Sequence, residues 1–353
     1  MKITFILPGL VTIPMGGVKV VHEQANRLAE RGHAVTLVYP VRVMGQGLIY
    51  DLKKGMVRLV DRIRHTGQEL FYVPSPRVNV QVVRNITSRY IPQGDVIIAV
   101  GWQTALGVAR LPHGHGRPYY LLQSYETYFR NKAAVLATYH LPLQKIAVAR
   151  WIMDELHGIG EDAAGPLTNA INPAEFYPEP QANGRDYDII MVYHPARIKG
   201  FADALAVWRC LRRDNPRLKG VVVASRPPWR PLPKELQLYI RPPIAQLRRL
   251  YNQTRFLLHA SYWEGWSLPP MEALACGCAV VSYANRGVCE YLSHGDQAWL
   301  APVGDRSRLG QYCREALNDD QQRQRLAERG RERVLAFNWD QIIGQLEAIL
   351  RQP

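Results

Sequence analysis

Phe256-Leu-Leu-His259, then Ala260-Ser-Tyr-Trp-Glu264-Gly-Trp-Ser267-Leu-Pro-Pro-Met-Glu272-Ala-Leu-Ala-Cys276-Gly277, then Ala279-Val-Val-Ser282 decide how this chain folds. The two outer runs are short and apolar, as strands buried on both faces are. Between them Glu272–Cys276 reads as a helix that Gly277 stops. Strand, loop, helix and strand within residues 256–282 make a βαβ unit, and the strands of such a unit lie parallel.

The same alternation extends in both directions. Ile3–Leu7 is a strand that breaks at Pro8-Gly9, and a loop with Gly16-Gly17 leads into a helix. That helix has Val20, Val21, Ala25, Leu28 and Ala29 at helical spacing and ends at Arg31-Gly32. Ala34–Tyr39, Asp95–Val100 and Pro118–Leu122 follow as strands. A second series holds strands at Asp188–Tyr193 and Gly220–Ala224, with a helix over Phe201–Leu211. Between the series, residues 172–184 carry Pro173, Pro178 and Pro180 and read as a linker. The chain of 353 residues is too long for one ordinary core. The expected fold is α/β: two doubly wound Rossmann-like domains facing a cleft, residues 1–180 and 185–337. Ligands of such sheets bind at the carboxyl ends of the strands.

Composition sets the outer limits. At 47% apolar and 21% charged residues the chain is not disordered. No apolar run reaches the ~18 residues of a membrane span, and the N-terminus is too short in apolar residues for a secretory signal. A cytoplasmic protein is expected, with its five cysteines reduced. The net charge of +14 is uneven: residues 42–92 carry 9 basic and 3 acidic side chains. Within them, residues 48–64 place Leu48, Leu52, Met56, Val60 and Ile63 on one stripe, apart from Lys53, Lys54 and Arg58. Such a helix either docks on an anionic membrane from the cytoplasmic side, as a peripheral protein, or packs its apolar face inward. His113-Gly-His115 reads as a loop rather than a metal pair, and no GxGxxG follows the first strand, which excludes the dinucleotide fingerprint.

The chemistry-bearing residues cluster in the 256–282 unit. Glu264 lies on its loop and Glu272 in its helix. Gly265, Trp266, Ser267 and Leu268 present backbone N–H groups near a helix N-terminus, a site suited to an anion such as a diphosphate. A neighbouring carboxylate can accept hydrogen bonds from sugar hydroxyls. The same pattern also fits a plain strand–loop–helix connection, and Trp263 and Trp266 suit either core packing or stacking on a ligand.

This segment resembles the retaining glycosyltransferases of family four, which have the GT-B fold. Their Glu-Gly-Phe-Gly-Leu run, second Glu, Ala-Cys-Gly turn and following strand correspond to Glu264–Leu268, Glu272-Ala273, Ala275–Gly277 and Ala279–Val281. The resemblance runs nearly end to end. Gly16-Gly17 and Leu28–Val35 resemble the family's acceptor-side opening, Asn169–Pro178 its domain-crossing loop, and Phe337-Asn-Trp339 the start of a C-terminal helix (338–353) that rejoins the N-terminal domain.

The resemblance implies roles. Arg197 and Lys199 would neutralise the donor diphosphate as it leaves. Glu272 would bind ribose hydroxyls, Glu264 would face the donor sugar or phosphates, and Arg226-Pro227-Pro228 with Arg241 would border the base. Gln123 stands where many relatives have His, and Gln123-Ser-Tyr-Glu126 resembles the subgroup near the rhamnan-synthesis rhamnosyltransferases. Gln123 would then hydrogen-bond a sugar, and Glu126 would join Gly16 and Gly17 on the acceptor side. The implied activity is transfer, with retention, of a hexose or deoxyhexose from a nucleoside diphosphate sugar to a glycan or lipid-linked acceptor in cell-surface polysaccharide or glycoconjugate synthesis. No cofactor and no metal are expected, with Arg197 and Lys199 in the metal's place. A nucleotide-sugar epimerase or a phosphorylase-like protein would keep the fold but change these residues. A basic nucleic-acid-binding protein is the other class, without a recognisable module here.

Overall fold

The structure, a computed structural model, describes residues 1–9, 14–43, 72, 74–128, 131–180 and 185–352. In the first half the chain forms β1 (Lys2–Ile6), α1 (Gly16–Glu30), β2 (Ala34–Pro40), β3 (Asn79–Val83), β4 (Val96–Val100), α2 (Trp102–Ala109), β5 (Arg117–Leu122), α3 (Lys132–Tyr139), β6 (Gln144–Ala147), α4 (Arg150–His157) and β7 (Ala163–Ala164). These strands make one parallel sheet in the order β3-β2-β1-β4-β5-β6-β7.

The second half forms β8 (Tyr187–Tyr193), α5 (Phe201–Asp214), β9 (Gly220–Ala224), β10 (Leu236–Ile240), α6 (Ile244–Asn252), β11 (Thr254–His259), α7 (Leu268–Ala275), β12 (Ala279–Tyr283), α8 (Arg286–Cys289), β13 (Trp299–Ala301), α9 (Arg306–Asn318), α10 (Asp320–Leu335) and α11 (Trp339–Arg351). Its sheet is also parallel, ordered β10-β9-β8-β11-β12-β13. Each sheet reverses direction once, between β1 and β4 and between β8 and β11. Those reversal points open the crevice in which doubly wound sheets bind ligands. The second core packs Trp208, Phe256, Trp299, Leu309 and Leu326 around strand residues such as Met191 and Val222.

Two compact units result, residues 1–167 with 343–353 and residues 168–342. The boundary thus falls before the expected 180/185, and residues 168–180 belong to the second unit. They are pinned there: Asn252 donates to Tyr177 O (3.0 Å) and accepts from the Glu179 N–H (2.7 Å). Arg248 also pairs with Glu179 at 2.7 Å. Helix α11 starts in the second unit and from Ile343 onward belongs to the first. There Glu347 accepts from Arg31 (2.9 Å) and meets His33 (2.6 Å), and the Tyr119 hydroxyl donates to Ile349 O (3.2 Å).

Gly16 and Gly17 open α1 and are not loop residues. The five cysteines are free. The basic segment 48–64 lies outside the described residues. No helix among the described residues is long and apolar enough to cross a membrane.

Candidate active site

The site is built where the chain leaves β8 and β11. After β8, Arg197–Lys199 make one tight turn that ends at Gly200 in a left-handed conformation, φ 61°. A Cβ at Gly200 would lie 1.7 Å from Ala260 O, so only glycine allows this approach. The turn is laid against the β11 exit by Ile198 O, which accepts from the Tyr262 N–H (2.8 Å) and the Ser261 hydroxyl (3.2 Å). Lys199 Nζ thereby reaches Glu264 Oε2 at 2.8 Å. Burial pushes the Glu264 carboxyl up, but Lys199, His259 and hydrogen bonds from Lys199 and Ser261 outweigh it and hold it below the usual carboxylate range. Glu264 is therefore an anion held by a cation at the reversal point of the sheet.

The loop beyond Glu264 is held from several directions. Ser267 has φ 62°, which costs a non-glycine residue on the order of 1 kcal/mol. Tyr291 donates to Ser267 O (2.7 Å), and the Ser267 hydroxyl lies 3.1 Å from His259 Nε2. Burial lowers His259 to about 4, so this ring is neutral at physiological pH. Its Nε2 is also 3.8 Å from Glu264 Oε1. Leu268 begins α7 and is followed by Pro269 and Pro270, which carry no N–H. Of the donors a helix N-terminus leaves unpaired, those two are missing, and an anion would rely on Leu268 and the loop before it. One turn into α7, Glu272 is buried and accepts from the Tyr251 hydroxyl at 3.4 Å.

Trp266 does not face a ligand. Its ring is buried, stacks on Tyr291 (5.3 Å between centroids), meets Phe337 edge-on (5.2 Å) and donates to Met271 Sδ (3.0 Å). Only its backbone remains available to the site.

Arg197 is exposed at the same turn as Lys199. His194 follows β8 and is held below the usual histidine range by burial, then by Lys199 and Arg226. Arg241, φ 50°, lies past β10 with Nε donating to Ser225 O at 2.9 Å, beyond the carboxyl ends of β9 and β10. Among the described residues no three His, Cys, Asp or Glu side chains gather to hold a metal ion. The chain does contain one Asp-x-Asp run, Asp186-Tyr187-Asp188. It opens β8 at the strand end opposite the site, and Asp188 is taken by the Lys219 N–H (2.8 Å) and Arg255 (3.4 Å).

The remaining expected residues belong to the first unit. Gln123, just past β5, donates to Gly17 O at 3.0 Å. A Cβ on Gly17 would lie 2.7 Å from the Gln123 side-chain oxygen. Glu126, three residues on, accepts from the Trp102 N–H at 3.0 Å. In the second unit the structure brings Lys199, Glu264, Ser267 and Leu268 together. It adds His259 and Ser261, which lie in the 256–282 unit but were given no role, and Tyr291 and Tyr251, which carried no motif signal. The position of His259 as the last strand residue before the Glu264 loop was its only clue.

Residues 174–333 match the family model described as Glycosyl transferases group 1. Over 101 residues the chain is 32% identical to N-acetyl-alpha-D-glucosaminyl L-malate synthase of Bacillus anthracis, covering 28% of this chain and 26% of that protein. It is 25% identical over 263 residues to the O-antigen biosynthesis protein RfbC of Myxococcus xanthus, covering 71% of this chain and 20% of that one. The chain thus spans about a quarter or less of the curated relatives it matches. Among solved structures it is similar to sucrose-phosphate synthase from Thermosynechococcus elongatus, with a TM-score of 0.75, 17% identity and coverage of 99% and 98%. It is also similar to Anabaena HepE in complex with UDP and glucose, with a TM-score of 0.70, 16% identity and coverage of 99% of both chains. The fold is that of the GT-B glycosyltransferases.

Proposed function

We propose that this chain is a glycosyltransferase that moves a hexose or deoxyhexose from a nucleoside diphosphate sugar to a glycan or lipid-linked acceptor, with retention of configuration, in polysaccharide or glycoconjugate synthesis. The observation that carries the reading is the Lys199–Glu264 pair, 2.8 Å apart at the carboxyl ends of β8 and β11 beside the N-terminus of α7. When the glycosidic bond breaks, negative charge grows on the departing diphosphate. A fixed ammonium at Lys199, the exposed guanidinium of Arg197 and the Leu268 N–H would stabilise that charge more in the transition state than in the ground state. Glu264, already ionised, orients Lys199 and offers its second oxygen to a sugar hydroxyl. Glu272 takes the ribose, Arg241 borders the base, and Gln123 with Glu126, Gly16 and Gly17 serves the acceptor. Metal independence belongs to this reading, with cations from the chain in the metal's role. Docking of residues 48–64 on an anionic inner membrane face belongs to it as well.

Calorimetric titration with nucleoside diphosphates, uridine diphosphate first, tests it. Lys199→Ala and Glu272→Ala should each weaken binding about ten- to a hundredfold, the worth of a charge-assisted hydrogen bond, with the circular dichroism unchanged. Transfer should persist in excess EDTA. Unchanged affinity in both variants would move the donor site elsewhere, and activity lost to EDTA and restored by Mg2+ would refute the role given to the cations.

A further inference from the structure

Two hydroxyls meet on one carboxylate oxygen beside the site. Asp203, in the first turn of α5, accepts from the Tyr262 hydroxyl (2.6 Å) and the Tyr283 hydroxyl (2.7 Å), both at Oδ2. Tyr262 lies two residues before Glu264 on the loop leaving β11, and Tyr283 is the last residue of β12. Their rings stack, with 5.7 Å between centroids and 19° between planes. Arg306, at the start of α9, stands 3.9 Å from Asp203 Oδ1. Tyr283 is buried, and Asp203 is half-buried.

The loops that supply these hydroxyls form one block. Asn285, just past β12, donates to Ser261 O (3.0 Å), and a Cβ at Gly287 would lie 2.7 Å from Glu264 O. The turn that carries Lys199 is fastened to this block on both sides of the lysine. Before it, Ile198 O accepts from the Tyr262 N–H and the Ser261 hydroxyl. After it, Asp203 takes the two tyrosines, so Tyr262 serves both fastenings, one through its backbone and one through its hydroxyl. A single fastening would leave the turn free to pivot. Two fix the direction in which Lys199 leaves the chain. A carboxylate suits this task, because one oxygen has lone pairs for two donors and its charge strengthens each bond.

We infer that Asp203 is a positioning residue: with Tyr262 and Tyr283 it holds turn 197–200 so that Lys199 reaches Glu264 and the place of the departing diphosphate. It acts through Lys199. Without this staple the turn can move, and a displacement of about 1 Å at a catalytic group can cost on the order of a hundredfold in rate. Asp203→Asn keeps an oxygen able to accept both hydroxyls and loses only the charge, so it separates the bonds from the field of the carboxylate. The placement of Lys199 against Glu264 needs no ligand; the consequence for the diphosphate rests on the transfer reading above.

Competitive acetylation of the full chain by acetic anhydride, without nucleotide, tests the placement. Mass spectrometry reads the Lys199 amine, with the exposed Lys219 and Lys234 as references. Glu264→Gln sets the rate of a lysine released from its carboxylate. Asp203→Ala should bring Lys199 to that rate and leave Lys219 and Lys234 unchanged, whereas Asp203→Asn should stay at the wild-type rate. Tyr262→Phe combined with Tyr283→Phe removes both donors but keeps the stacked rings, and it should match Asp203→Ala; it decides the matter if Asp203→Ala does not fold. A Lys199 labelled as in wild type overturns the inference. So does a rise shared by Lys219, which would mean a loosened unit rather than a released lysine. Titration with uridine diphosphate tests the consequence. Asp203→Ala should weaken binding about tenfold in the wild-type background and add nothing in Lys199→Ala, because a residue that acts through Lys199 has no effect once Lys199 is gone. Equal weakening in both backgrounds overturns the inference and leaves the donor site where it is. Labelling as expected, with uridine diphosphate affinity unchanged by Lys199→Ala, would sink the transfer reading and keep the staple.

Discussion

Single residues carry opposite electrostatic designs in the two units. Glu264 is half-buried beside a cation and stays ionised, whereas Glu126, half-buried with no cation facing it among the described residues, is raised by burial to about 7. Replacing Lys199 by Met should therefore raise the Glu264 carboxyl above its ordinary value, because the burial that Lys199 offset remains. Difference infrared spectra of the carboxyl band would show protonation appearing at higher pH than in wild type, and an unshifted band would mean that Lys199 is not what holds the anion. Glu126 predicts a stability profile of unusual sign. Its folded state binds the proton more tightly than the unfolded chain, so its favourable contribution is full below about 4.5 and is lost as pH rises through about 7. Relative to Glu126→Gln, wild type should lose up to ~3 kcal/mol over that window, less whatever hydration relieves. Urea midpoints at pH 5 and pH 8 measure it, and equal differences at both would remove the buried-acid argument. Glu264 and Glu272 were legible in the sequence as two acids flanking a strand–loop–helix turn, and Lys199 only through the resemblance to a known family. His259 and Tyr251 were not, since a lone ring on an apolar element has no spacing to read.

At the scale of elements, the site depends on how the turn after β8 meets the exit of β11. Gly200 is the contact that permits it. Gly200→Ala must clear a 1.7 Å clash with a backbone carbonyl and also hold a left-handed conformation. The turn would have to withdraw, and Lys199 with it. The cost should exceed ~3 kcal/mol, within the range of severe single substitutions, and nucleotide affinity should fall with it. Chemical denaturation and titration read both quantities, and a stable Gly200→Ala variant with intact affinity would show that the turn is not what places Lys199. The strands flanking the site were visible because each is a continuous apolar run buried on both faces. β3 and β10 were not: as edge strands they expose Val80 and Val82, Leu238 and Ile240, and their mixed polar pattern reads as loop.

For the whole molecule, two α/β alternations in one chain announced two units, but their border did not follow composition. The proline-bearing stretch read as a linker is held at Tyr177 and Glu179 by Asn252 and Arg248, residues about seventy positions away in sequence. The same kind of distant contact closes the first unit, through the last helix. Ile343, Leu346, Ile349 and Leu350 are all buried. At about 1.5–3 kcal/mol for each such side chain, their loss approaches the ~5–15 kcal/mol by which a domain is stable at all. Removal would also leave the buried Tyr119 hydroxyl without Ile349 O, and Arg31 and His33 without Glu347. Burial pushes the Glu347 carboxyl up, but His33 and Arg31 hold it below its ordinary value. Its share of stability is therefore present above that ordinary value and fades as pH falls through the lowered one. Truncation after Ile342 should unfold residues 1–167 and spare residues 168–342, leaving a single calorimetric transition with about half the enthalpy and a protease-resistant core confined to the second unit. Nucleotide binding should survive in that core, since Lys199, Glu264 and Glu272 all lie within it. A truncated chain that melts as wild type would show the last helix to be an appendage, and one that loses both units at once would show that neither stands without the other.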